Sequence, residues 1–265
     1  MVFRLFACFG RGGSKNEGGN GKSSSAVDVA AEGPVVVELF SSQGCATSPE
    51  AEVLISRLGR GDFQLNVPLM VLAYHVDYWD YAGWKDPYGS SQWTVRQKAY
   101  VEALKLDTMF TPQVVVQGTT QCVANDQDTL LSTICNAPRF PATGFQATFQ
   151  RPTSESLQVS ISGALRTRID SNGVDIMLAL YENRLVNDCP SGENKGKVLV
   201  NDFVVRKLEK VCTVKDMNAK KTVTGTVTLT LWDGFNSSKC GVAIFLQNKA
   251  HQIFGSQNFQ LPDDV

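Results

Sequence analysis

Val35-Val36-Val37-Glu38-Leu39-Phe40-Ser41-Ser42-Gln43-Gly44-Cys45-Ala46-Thr47-Ser48-Pro49 is the stretch on which the reading of this chain turns. Val35–Phe40 is almost continuously apolar, the pattern of a strand buried on both faces. Gly44 permits a break, and Pro49 suits the first turn of a helix, with Ser48 as its N-cap. That helix runs through Ala51, Val53, Leu54, Ile55 and Leu58 and is expected to end at Gly59 and Gly61. A strand that breaks at a glycine and restarts as a helix leaves Cys45 at a helix N-terminus. Unpaired N–H groups and the positive end of the helix dipole favour a thiolate there. The position where a second cysteine would complete a dithiol holds Ser48.

Working outward, Leu69–Tyr74 reads as a second buried strand, followed by an aromatic and acidic loop, His75–Pro87. A helix is expected over Gln92–Leu106. Thr111-Pro112 leads into a strand at Gln113–Val116, with a short partner at Gln121–Val123 and a helix over Asp126–Cys135. Pro138 and Pro141 mark a linker. Alternating strands follow at Phe145–Gln150, Leu157–Ile161, Val174–Tyr181, Val198–Val205, Val223–Leu231, Val242–Gln247 and Gln252–Phe254, several of them separated by turn residues. The end of Asn201–Val211 could instead be a short helix. The expected organisation is a disordered tail over 1–33, an α/β domain over 34–137 and an antiparallel β-sandwich over 142–262.

The chain has 265 residues and a net charge of -1, with Lys and Arg spread rather than clustered, so no nucleic-acid partner is expected. No apolar stretch approaches the about 20 residues needed to cross a bilayer. The first 32 residues pair a short greasy patch with a Gly-, Ser- and Asn-rich tail that cannot offset its ordering entropy. Cys8 in that patch could carry an acyl chain and give weak membrane association. An incidental cysteine and an organelle-targeting segment are the alternatives. The seven cysteines are scattered, none at metal-knuckle spacing, and there are only two histidines. Reduced thiols in a cytoplasmic compartment are the default expectation.

Four motifs together point further: Glu38–Cys45 (Glu-Leu-Phe-Ser-Ser-Gln-Gly-Cys), His75–Asp80 (His-Val-Asp-Tyr-Trp-Asp), Gly83–Pro87 (Gly-Trp-Lys-Asp-Pro) and Thr111–Val116 (Thr-Pro-Gln-Val-Val-Val). With Gly192–Lys197 as a further mark, they resemble the thioredoxin-like family catalogued as domain of unknown function 1223. The resemblance covers nearly everything after Gly33, and the N-terminal extension suggests a plant member. It implies an α/β thioredoxin-like domain followed by an all-β, sandwich-like domain, with a cis peptide before Pro112 opposite the cysteine. It also implies thiol redox chemistry without an established substrate. Many relatives carry a second cysteine where this chain has Ser48.

A Cys45 thiolate could form mixed disulfides with protein thiols or glutathione, with glutathione as co-substrate and no bound cofactor. Cys122 is the internal candidate for a resolving thiol, a buried strand residue its simpler reading. His75, expected at the same end of the sheet as Cys45, could take its proton or stabilise the thiolate, oriented by Asp77 or Asp80. Equally, His75 and the carboxylates could form a network pinning the loop. Thr111 and Pro112 would shape the site. Tyr78, Trp79 and Trp84, with Tyr81, could wall a groove for a peptide segment, or be the packing that orders the loop. Metal binding by His75, Asp77, Asp80 and Asp86 ranks low, and no metal is expected. The alternative function is a redox-inactive peptide-binding module. The charged turn Glu193–Lys197 reads as a solvated loop, with a contact between domains as the alternative.

Overall fold

A computed structural model describes residues 32–165, 169, 171–215, 222–263 and 265. Cys8 and the tail up to residue 31 therefore lie outside the described residues. The first half runs β1 (Val35–Ser41), α1 (Ser48–Arg60), β2 (Leu69–His75), α2 (Ser91–Ala103), β3 (Gln113–Val116), β4 (Thr120–Val123) and α3 (Gln127–Cys135). The second half is built from strands: β5 (Gly144–Thr153), β6 (Ser156–Ala164), β7 (Val174–Glu182), β8 (Leu185–Asp188), β9 (Val198–Asn201), β10 (Val204–Val214), β11 (Thr222–Thr230), β12 (Cys240–Gln247) and β13 (Ile253–Gln260).

The expectation of a helix-flanked α/β thioredoxin-like domain followed by an all-β domain is overturned. Among the described residues the chain is mostly β, with three α-helices. One mixed eight-stranded sheet, ordered β13-β12-β7-β10-β2-β1-β3-β4, takes strands from both halves of the sequence. The cause lies at β2, whose six residues Met70–His75 are all buried. A strand so apolar has no edge to show to water, and its far side is closed by β10, with Val204 opposite Ala73 and the Ala73 N–H donating to the Phe203 carbonyl at 2.8 Å.

Three cores follow from this sheet. On one face α1 and α3 bring Ala51, Leu54, Ile55, Leu58, Leu130 and Ile134 onto the inward side chains of β1, β2 and β3. Opposite, α2 lays Trp93 and Tyr100 against Phe40, Leu72 and Tyr74, in a core completed by Tyr181, Val205 and Phe245. The third core lies where the three-stranded sheet β11-β6-β5 packs Leu157, Val159 and Ile161 on Ile176, Leu178 and Val242.

Several local expectations change. Gly59 does not stop α1. It lies inside the helix, where a Cβ would come within 2.3 Å of the Phe203 ring, and the left-handed Gly61 (φ 82°) ends the helix instead. The N-cap is Thr47, because the Ser48 hydroxyl accepts from the Ser42 N–H at 3.3 Å. The span read as one strand over Val198–Val205 is two, β9 and β10, parted at Asp202-Phe203, and its C-terminal continuation is extended rather than helical. The hairpin β8–β9 forms a two-stranded sheet of its own, over the start of α1.

Candidate functional site

β1 and β2 run parallel with Ser41 opposite His75, so the turn Ser42–Thr47 and the loop after His75 leave the sheet at the same end. Gly44 is needed where these segments meet: a Cβ there would lie 3.0 Å from the Trp79 carbonyl oxygen. Cys45 is 3% exposed. Its Sγ lies 3.5 Å from Thr47 Oγ1 and donates toward the Thr111 carbonyl at 3.7 Å. The Thr111–Pro112 peptide is cis and brings Thr111 to the cysteine at the entry to β3. Burial alone pushes the thiol up. Hydrogen bonds from the Ser48, Thr111 and Thr47 hydroxyls and the Thr47 backbone outweigh it and hold the pKa below its ordinary value. Ser48 is thus one of the groups that favour the charged form of Cys45.

His75 is not a free base. Its Nδ1 lies 2.7 Å from Asp86 Oδ2, and Nε2 sits 3.2 Å from Glu52 Oε1 as an ion-pair contact outside hydrogen-bond alignment. Burial would lower its pKa, but Asp86 and Glu52 raise it to about 10, so the ring is an imidazolium at neutral pH and cannot accept a proton from Cys45. Asp86 itself resists burial: His75 and the Gln43 and Tyr88 N–H groups hold its carboxyl below the usual range. The same Asp86 Oδ2 accepts from the Gln43 N–H at 2.7 Å, tying the triad to the turn that carries Cys45. Asp77 is engaged elsewhere, by Thr94 at 2.6 Å, and Asp80 accepts from the Asp86 N–H at 3.2 Å. Among the described residues no group of His, Cys, Asp and Glu is arranged to hold a metal.

The two tryptophans of the loop are tethered by their indole nitrogens. Trp79 Nε1 donates to Thr111 Oγ1 at 2.7 Å, and Trp84 Nε1 donates to Gln43 Oε1 at 3.1 Å. The Tyr78 hydroxyl is buried beside Thr111 and Gln97, and burial pushes it up to about 12. Tyr81 stacks on Trp79 and is 83% exposed. Cys122 sits in β4 opposite Val114, inside the core under α1 and α3, and burial pushes its thiol up.

Sequence reasoning missed the residues that hold the turn from a distance. Gln43 Nε2 donates to Asn201 at 2.8 Å and Asn187 at 3.2 Å, both on the β8–β9 hairpin. Asn194, in the loop of that hairpin, donates to the carbonyls of Gln43 and Cys45 at 2.8 and 2.9 Å. Glu52 was hidden as one of several polar residues in α1. The one signal available was the Gly192–Lys197 motif itself, which reads locally as a charged turn yet contains a fully buried asparagine. Beside the turn, a cavity of about 100 Å³ is lined by Ser42, Gln43, Pro49, Glu52, Val53 and Val198–Asn201.

A family model described as "Protein of unknown function (DUF1223)" matches residues 36–247. No curated protein matches the chain. Among solved structures, a protein from Agrobacterium tumefaciens is similar at 23% identity and a TM-score of 0.60, over 87% of this chain and 96% of its own. HBP35 of Porphyromonas gingivalis is similar at 12% identity and a TM-score of 0.59, over 87% of this chain and 76% of its own. At these identities the two likenesses concern the fold alone.

Proposed function

The chain belongs to the DUF1223 family of proteins of unknown function, and from that premise we propose that it acts through Cys45 as a monothiol centre exchanging disulfides with proteins or glutathione. The observation that carries this is the set of hydroxyls around Sγ, which favours a thiolate despite burial. The thiolate attacks one sulfur of a disulfide R–S–S–R′, forming Cys45–S–S–R and expelling R′–S⁻. A second thiolate, from glutathione, then attacks that mixed disulfide and restores the Cys45 thiolate, the R group leaving as its disulfide with glutathione. Ser48 cannot resolve the intermediate, and nothing here assigns that role to Cys122. Among the described residues no helix is long and apolar enough to cross a membrane.

The test is the pH dependence of Cys45 alkylation, resolved by peptide mass spectrometry. A midpoint well below the about 8.5 of a free cysteine is expected. An ordinary midpoint, or a thiol inert at all pH values, would sink the exchange chemistry. The near-complete burial of Cys45 favours one other reading, a polypeptide-binding module that holds its partner without covalent chemistry. Trapping separates the two. Partners released by dithiothreitol and lost with Cys45→Ala mean exchange, and partners kept with Cys45→Ala mean binding.

A further inference from the structure

We propose that Asn194, contributed by the β8–β9 hairpin, is a positioning residue that holds the backbone of Cys45 where its sulfur meets the three hydroxyls. The inference rests on the monothiol reading above and begins with the turn before α1. Cys45 lies two residues ahead of the Thr47 N-cap, so its carbonyl is outside the hydrogen-bond ladder of α1, and Pro49 has no N–H to offer it. The Cys45 carbonyl is also buried, so an unmet acceptor there would carry a real cost. Asn194 Nδ2 meets it at 2.9 Å and gives its other hydrogen to the Gln43 carbonyl at 2.8 Å.

The amide can stand only one way round. Its Oδ1 accepts from Lys197 Nζ at 3.0 Å, so both hydrogens point at the turn. With 0% of its surface exposed, Asn194 is shielded from solvent. Its loop is seated on the segment after β2: Ser191 Oγ donates to the Gly83 carbonyl at 2.6 Å, and Gly192, at a left-handed φ of 74°, comes so close that a Cβ would lie 3.0 Å from that of Trp84. A side chain at Gly192 would lift Asn194 off its two carbonyls.

The charged and titratable groups packed round the turn come from four elements. They are Glu52 of α1, the His75–Asp86 pair of β2 and its following loop, Tyr78 of that loop, and Lys197 and Cys189 of the hairpin. Replacing Asn194 by alanine removes no charge among them, though Lys197 loses its amide partner, so the titration of Cys45 is read beside Lys197→Ala, which removes that charge outright. If Sγ drifts from Ser48, Thr47 and Thr111, burial is left unopposed and the thiol rises.

The experiment is the alkylation profile of Cys45 in the full chain as wild type, Asn194→Ala and Lys197→Ala, with circular dichroism and Tm recorded for each. Asn194→Ala is expected to keep the fold and raise the midpoint by about one pH unit, with a matching loss of rate at pH 7. Lys197→Ala, which frees the amide oxygen at an exposed residue, is expected to give a smaller rise. A folded Asn194→Ala protein with a lowered Tm and an unchanged midpoint overturns the inference, since that is what a purely structural asparagine does. Should Asn194→Ala not fold, Gly192→Ala, which displaces Asn194 without altering any charge, decides, and an unchanged midpoint there overturns the inference. A wild-type midpoint near that of a free cysteine would fail the monothiol reading itself, and this outcome is separate from equal, depressed midpoints in wild type and variants.

Discussion

Thr111 meets Cys45 with two different oxygens. Its carbonyl takes the proton of the neutral thiol, 3.7 Å away. Its hydroxyl already accepts the Trp79 indole N–H at 2.7 Å, so its own proton is left to give to a thiolate. Trp79→Phe keeps a large ring but loses that orienting bond, and it is expected to raise the alkylation midpoint of Cys45 by roughly half a pH unit, with Thr111→Val raising it further. The sign for His75 runs through stability instead. Its folded-state pKa of about 10 lies above the unfolded value near 6.5, so its stabilisation is complete below about pH 6.5 and is lost as pH rises towards 10. The Tm deficit of His75→Gln relative to wild type, followed by calorimetry, is therefore expected to be largest, several degrees, at about pH 6 and to shrink steadily towards pH 10. A deficit that grows with pH would contradict the imidazolium assignment.

Among the elements, strands and helices of the first half were readable because each carries one dominant pattern. Val35–Phe40 and Leu69–Tyr74 are apolar runs, and Ala51, Leu54, Ile55 and Leu58 recur at helical spacing. What was unreadable depended on partners far away. Gly59 looks like a stop until the Phe203 ring is found filling its missing side chain, and nothing local to the buried strand β2 names β10 as the neighbour that closes its far side. The site divides in the same way. Cys45, Ser48 and Thr111 announce themselves locally, whereas Glu52, Asn194 and Asn201 are polar residues whose purpose appears only with the opposite wall in place. One turn makes this concrete. Gly118, between β3 and β4, has φ 64° and approaches the His251 carbonyl so closely that a Cβ would sit 1.9 Å from its oxygen. Beside it the Ile253 N–H donates to the Gln117 carbonyl at 2.9 Å. Gly118→Ala is expected to cost at least about 2 kcal/mol, or about 4–8 °C in Tm, although the substitution lies in a hairpin turn.

At the level of the whole molecule, the core under α2 is filled from both halves: Phe40, Leu72 and Tyr74 pack with Tyr181, Val205, Phe245 and Ile253. Neither half can close that core by itself, so calorimetry of the full chain is expected to show a single transition. The fragment 34–137 is expected to lack near-ultraviolet circular dichroism and to aggregate through the uncovered side of β2. Two separate calorimetric transitions, or a monomeric fragment with sharp tertiary signals, would contradict this. The bond that Asn194 makes to the Cys45 carbonyl has a consequence in time. Its donor lies 149 residues downstream, which at ordinary rates of synthesis is roughly 7–30 s of translation. On the proposed monothiol reading, a nascent chain carries Cys45 as a common thiol throughout that interval, and the nucleophile comes into being only once the hairpin has left the ribosome and folded back. Alkylation of ribosome-stalled chains ending before and well after residue 201 would display that delay as a step in reactivity.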